Sequence, residues 1–173
     1  MLDFLKNQGI SDSLITEIER FRANFSVESS LCHRIPVPRY LYYGKEIWEE
    51  AITAILCGEN LLLVGPKATG KNVLAENLAA VFGRPSWDVS FYINTDAATL
   101  LGTDTFADGA VTLRKGPIYQ CAENGGFGIL DEATNTFASF DGKNPYVLPI
   151  KKTIQSCIDA GWADSLKRVG YTA

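Results

Sequence analysis

Two short stretches carry residue types whose spacing suits chemistry on a nucleotide phosphate. The first, Gly65-Pro66-Lys67-Ala68-Thr69-Gly70-Lys71-Asn72, fits G-x-x-x-x-G-K-[ST] at every position but the last. Glycines let successive backbone N–H groups curl inward as an anion nest, and a helix that follows points its positive end at the same place. Lys71 then reaches the β- and γ-phosphates. Lys67 adds a second cation to the loop, either tightening phosphate binding or simply solvated. The second stretch, Phe127-Gly128-Ile129-Leu130-Asp131-Glu132, ends an apolar run on two acids. An aspartate there suits Mg²⁺ held through water, and the adjacent glutamate suits polarising an attacking water. Taken alone, the acid pair reads equally well as a strand ending in solvated carboxylates. Downstream of a phosphate loop, the two stretches together point to a nucleotide site.

Such a loop must lie between a buried strand and a helix. Asn60 to Val64 is an unbroken apolar run of the kind found in parallel strands covered on both faces. Beyond the loop, Val73, Leu74, Leu78 and Val81 mark one face of a helix from Lys71 to Phe82, stopped by Gly83 and Pro85. Trp87 to Phe91 reads as a second strand. Residues 105–113 read as a hairpin turning at Asp108-Gly109. Pro117 suits the first turn of a helix reaching Asn124, and Gly126 to Leu130 is a third buried-type strand. Upstream, Leu14, Ile15, Ile18 and Phe21 form a helical stripe behind three candidate caps, Ser11, Asp12 and Ser13. An irregular connector over 25–44 contains Pro36 and Pro38, and Lys45 to Cys57 is a further helix stopped by Gly58. Trp48, Trp87 and Phe91 are expected in the core, and Cys32-His33 on the connector's surface. Strands alternating with helices predict an α/β fold with a largely parallel sheet and flanking helices.

Composition narrows the classes. The chain has 173 residues, 46% hydrophobic and 21% charged, enough for a folded domain with its own core. A net charge of −4 from 16 basic and 20 acidic residues argues against a nucleic-acid coat. No apolar run approaches the roughly 18 residues of a membrane span. Four scattered cysteines without a C-x-x-C pair, beside the single His33, argue against a zinc site or a disulfide framework. Free thiols in a cytoplasmic protein are expected. All ten glutamates lie at or before Glu132, so the tail differs in composition. The expected organisation is an N-terminal helical segment and connector over 1–42, a nucleotide-binding core over 43–132, and a divergent, weakly structured tail over 133–173.

From Tyr43 to Glu132 the chain resembles the AAA+ ATPases, specifically the MoxR-like group. The matching pieces are Leu61-Leu62-Leu63-Val64-Gly65-Pro66 with Gly70-Lys71, then Thr95 to Gly102 ending in Leu100-Leu101-Gly102. The hairpin, Gly116-Pro117-Ile118 and Ile129-Leu130-Asp131-Glu132-Ala133 follow in order. The resemblance implies a P-loop NTPase fold, with 65–72 as the Walker A loop and Asp131 with Glu132 as Walker B. ATP and Mg²⁺ are the implied cofactors, with Lys71 and Glu132 catalytic and Asp131 and Asn72 at the metal. Asn72 stands where the family has Ser or Thr, whose hydroxyl ligates Mg²⁺; an amide carbonyl can also ligate. The segment Tyr42-Tyr43-Gly44 would sit near the base. The family forms hexameric rings that remodel a protein partner, often one bearing a metal-dependent von Willebrand-type domain, and its hairpins face the ring's central surface.

The family continues after Walker B with a sensor strand, an arginine finger and a helical lid, none of which is found in 133–173, so the core reads as incomplete. Tyr146-Val147-Leu148-Pro149-Ile150 is the apolar run that could fill the sensor strand's place, and Pro149 cannot donate to a central ladder. This chain alone is therefore expected to bind nucleotide, to turn it over slowly if at all, to fold with marginal stability, and to form no stable ring. Three functions stay in play: a MoxR-like remodelling ATPase, a nucleotide-binding module without turnover, and a small P-loop kinase.

Overall fold

The computed structural model describes residues 1–66, 68–91, 95–107 and 109–131. Lys67, Glu132 and the tail 133–173, including 146–150, lie outside them. The fold divides between Ser86 and Trp87 into two units.

The first unit is helical. Helix α1 (Leu2–Asn7) leads to α2 (Asp12–Asn24), whose first turn is capped by Ser11: its hydroxyl accepts from the Leu14 N–H at 3.4 Å. A 3-10 turn, Ser29–Arg34, and an extended connector follow, then α3 (Lys45–Leu56) and α4 (Lys71–Phe82). Their apolar stripes supply the core, with Leu5, Ile18, Trp48, Ile52, Leu78, Val81 and Phe82 fully buried. The Phe21 and Phe82 rings meet edge to face at 5.1 Å.

Two arginines join α2 to α4 by satisfying each other's helix ends. Arg22 Nε donates to Val81 O at 2.7 Å and its Nη2 to Ala80 O at 2.8 Å, in the last turn of α4. Arg84, just past α4, donates through Nη1 to Phe25 O at 2.8 Å, at the C-terminus of α2. Helix C-termini leave carbonyls without intrahelical partners and carry partial negative charge, so a guanidinium answers both needs. Burial pulls the Arg22 pKa down, partly opposed by Glu19, yet an arginine stays charged at neutral pH. Arg22→Met, which keeps the stem and removes the donors, is expected to lower unfolding free energy by about 1.5–3 kcal/mol. A urea midpoint unchanged from wild type would remove the cap from the account of stability.

The segment 60–64 departs from the expected strand. It joins no ladder, and Leu61, Leu62 and Leu63 are half-buried while Val64 is 36% exposed. Apolar character asks for cover on both faces, but a central strand also needs hydrogen-bonding neighbours.

The second unit holds all but the first residue of β1 (Ser86–Ser90) and β4 (Phe127–Asp131), hydrogen-bonded neighbours in a small parallel sheet. Trp87 and Val89 are its buried residues, as alternation along β1 requires. The sheet is smaller than the expected three strands, because 60–64 does not pair. Between its strands lie α5 (Ala97–Leu101), an antiparallel hairpin of β2 (Gly102–Ala107) and β3 (Ala110–Lys115), and α6 (Pro117–Asn124). Asp96 caps α5, its Oδ1 accepting from Thr99 N at 2.8 Å and Thr99 Oγ1 at 2.7 Å, which holds its carboxyl below the usual range. The hairpin is longer than expected, because its strands extend back to Gly102 and on to Lys115. At that end the chain crosses itself too closely for a Cβ. A side chain at Gly102 would run into Arg114 O, and one at Gly116 into Leu100 O. Among the described residues no helix is long and apolar enough to cross a membrane.

Candidate phosphate-binding site

The described part of 65–72 sits at the start of α4. Gly70 occupies the N-cap in the left-handed region at φ +82°, and no side chain caps the helix there. No acidic residue stands in the first turn, so the positive end of the helix dipole is not compensated from within the helix, whereas the Arg22 guanidinium meets its C-terminal end. A first turn built this way offers backbone donors and positive potential to an anion. Two residues earlier, Ala68 takes φ +63° and is the non-glycine residue with positive φ among the described residues. That conformation costs an L-residue about 1–2 kcal/mol, so neighbouring contacts must hold it. They are present: Thr69 Oγ1 donates to Pro66 O at 2.9 Å.

Lys71 closes the loop from the helix side. Its Nζ donates to Gly65 O at 2.8 Å and Pro66 O at 2.7 Å. An ammonium has three donors, and two of them are spent on these carbonyls of the loop. The arrangement can bind a phosphate group through backbone N–H groups, with Lys71 turning from neutral carbonyls to charged oxygens. Asn72 is exposed at the second position of α4. Its amide oxygen is a hard donor suited to Mg²⁺, as is the Asp131 carboxylate. Asn72→Thr is expected to lower the Mg²⁺ concentration needed for half-maximal nucleotide binding by roughly two- to tenfold, the worth of one polar contact. A Mg²⁺ titration at fixed nucleotide reads this directly, and no change would exclude residue 72 from the metal.

The remaining candidates fall elsewhere. Asp131 ends β4 in the second unit, half-buried, its carbonyl accepting from Phe91 N at 2.9 Å. It thus stands at the carboxyl end of a parallel strand, where open α/β sheets place ligands. Gly65, Pro66, Ala68, Thr69, Gly70, Lys71 and Asn72 form one continuous loop and helix start. Lys67 and Glu132 lie outside the described residues.

Tyr42, expected near a base, packs its ring against Gly70: a Cβ there would lie 3.4 Å from ring Cδ2 and Cε2. Asn77 went unremarked in the sequence. It is fully buried on α4 and donates to Tyr40 O at 2.8 Å and Val73 O at 2.7 Å, while its Oδ1 accepts from Tyr42 N at 3.4 Å. The available signal was its place on the apolar stripe between Leu74 and Val81, where a polar side chain needs specific partners.

Comparison with known proteins agrees with this geometry. Residues 60–140 match the family model described as AAA domain (dynein-related subfamily). The uncharacterized protein YojN of Bacillus subtilis (strain 168) is 36% identical over 87 residues, 48% of this chain and 29% of that protein. An uncharacterized protein of Staphylococcus saprophyticus is 26% identical over 98 residues, 54% of this chain and 37% of its own length. Mouse von Willebrand factor A domain-containing protein 8 is 25% identical over 137 residues, 70% of this chain but 7% of that protein. The matched stretch therefore spans little more than a third of any of these relatives. Together the matches support an AAA-type ATPase domain over residues 60–140, and with it the P-loop nucleotide-binding fold.

Proposed function

We propose that this chain carries the Walker A and Walker B elements of a MoxR-like AAA+ ATPase, which couples ATP–Mg²⁺ binding and hydrolysis to remodelling a protein partner. The observation that carries the reading is the start of α4: an uncapped helix N-terminus at left-handed Gly70, with the Lys71 ammonium bonded to two carbonyls of the loop. In this reading residues 65–72 cradle the phosphates, and Asp131 with Asn72 supplies oxygen donors to Mg²⁺. Glu132 orients and deprotonates the attacking water. Mg²⁺ held by these donors would supply positive charge to the phosphoryl oxygens. A partner with a von Willebrand-type domain is the substrate class proposed, in line with the domain named in the mouse relative. A cytoplasmic location is part of the same reading.

Binding of a fluorescent ATP analogue to the full chain, titrated with and without Mg²⁺, tests the site. Saturable, Mg²⁺-strengthened binding is expected. Asp131→Ala should bind as wild type does without Mg²⁺ and gain little when the metal is added. Absence of saturable binding in wild type, or full Mg²⁺ dependence in Asp131→Ala, would count against the assignment.

A further inference from the structure

We infer that Asn77 is a positioning residue of the nucleotide site, coupling the connector before α3 to the phosphate loop at the start of α4. The inference rests on the nucleotide-binding reading above. Asn77 reaches Tyr40 O, Tyr42 N and Val73 O with one amide, so it fastens the connector to the flank of α4 from inside the core. The other side of the same residue is also held: Trp48 Nε1, on a fully buried ring, donates to Tyr42 O at 2.9 Å. With its N–H and its carbonyl both engaged, Tyr42 has little freedom, and its ring is set on the face of Gly70. Gly70 is the N-cap of α4, and its carbonyl accepts from Leu74 N at 2.9 Å to begin the helix. The ring therefore backs the left-handed residue that aims the loop and precedes Lys71.

A buried amide inside an apolar stripe costs free energy unless all its bonds are made. A leucine of similar size would fill the space on α4 without needing them. What Asn77 supplies and leucine cannot is the register between connector and loop. If a docked connector favours the phosphate-binding conformation, nucleotide must favour docking by the same factor, since coupling is reciprocal.

The test uses the full chain, a fluorescent ATP analogue with Mg²⁺, and trypsin cleavage after the exposed Arg39, which precedes the clamped residues. In wild type, nucleotide is expected to slow that cleavage, because cleavage follows the open fraction. Asn77→Leu, measured well below its melting midpoint, is expected to bind the analogue at least about fivefold more weakly and to lose nucleotide protection at Arg39. Tyr42→Ala should do the same through loss of the ring, whereas Tyr42→Phe should retain wild-type affinity. Tyr42→Ala also decides the matter if Asn77→Leu does not fold, because Tyr42 is only half-buried. Faster cleavage with unchanged affinity in Asn77→Leu or Tyr42→Ala would reduce Asn77 to a fastener and overturn the inference. Failure of the underlying reading looks different: wild type itself would show no saturable binding.

Discussion

Replacing Lys71 with alanine is expected to weaken nucleotide binding by at least about tenfold and to leave the cooperative melt in place. The ammonium is held by the carbonyls of Gly65 and Pro66, both exposed loop residues. Its removal therefore leaves two carbonyls that water can reach, at little cost to folding. For phosphate the loss is larger. Hydrogen bonds to charged groups contribute about 1.5–3 kcal/mol each, and a β- and γ-phosphate pair offers two. Some of that is offset, because binding trades away the two carbonyl bonds. What remains corresponds to roughly one to two decades of affinity at about 1.4 kcal/mol per decade. Lys71→Arg should rescue poorly, since a planar fork does not replace a compact point charge in a loop of this size. Calorimetric titration with ATP–Mg²⁺ measures all three proteins. Equal affinities would remove the loop from the nucleotide site.

The features readable in the sequence are those decided by a few adjacent residues. Helix α4 begins after Gly70 and stops at left-handed Gly83, as the glycines and the apolar spacing indicate. The hairpin strands pair up to Ala107 and Ala110, on either side of the expected turn, and α6 starts on Pro117. Ser11 caps α2 as its position suggests. Features that depend on distant partners were not readable. Arg22 and Arg84 look like ordinary charged residues until the ends of α2 and α4 are brought side by side. Asn77 looks like a poor helix former until the connector lies against it. Leu61-Leu62-Leu63-Val64 illustrates the reverse: composition specifies burial, whereas a strand also requires neighbours to pair with. Helix α1 and the 3-10 turn at Ser29–Arg34 were likewise not anticipated. Both are short, and short helices hold through tertiary packing rather than propensity. The loop and the start of α4 were legible as structure because they are one contiguous stretch of backbone. Their support by Tyr42 and Asn77 comes from residues dispersed along the chain.

Glu132→Gln should separate binding from hydrolysis. In the proposed mechanism the attacking water gives up its proton to the Glu132 carboxylate while the γ-phosphoryl group leaves ADP. An amide preserves the size and one acceptor oxygen of that side chain, but it cannot take the proton. General-base contributions run to about 10²–10⁴-fold, so phosphate release should fall by about 10²-fold or more. ATP–Mg²⁺ affinity should stay within about twofold, because the phosphates are held by the loop and Lys71 rather than by this carboxylate. Asp131→Ala is the contrasting change: it acts on the metal, so Mg²⁺-dependent affinity falls together with hydrolysis. The measurement should follow phosphate release in a single turnover with protein in excess of ATP, so that slow chemistry remains readable. Lys71→Ala supplies the background. Phosphate release to water by wild type, suppressed in Glu132→Gln with binding intact, would fix the glutamate as the hydrolytic base. Wild-type release from Glu132→Gln would instead assign the proton transfer to another group and leave the acid pair with the metal alone.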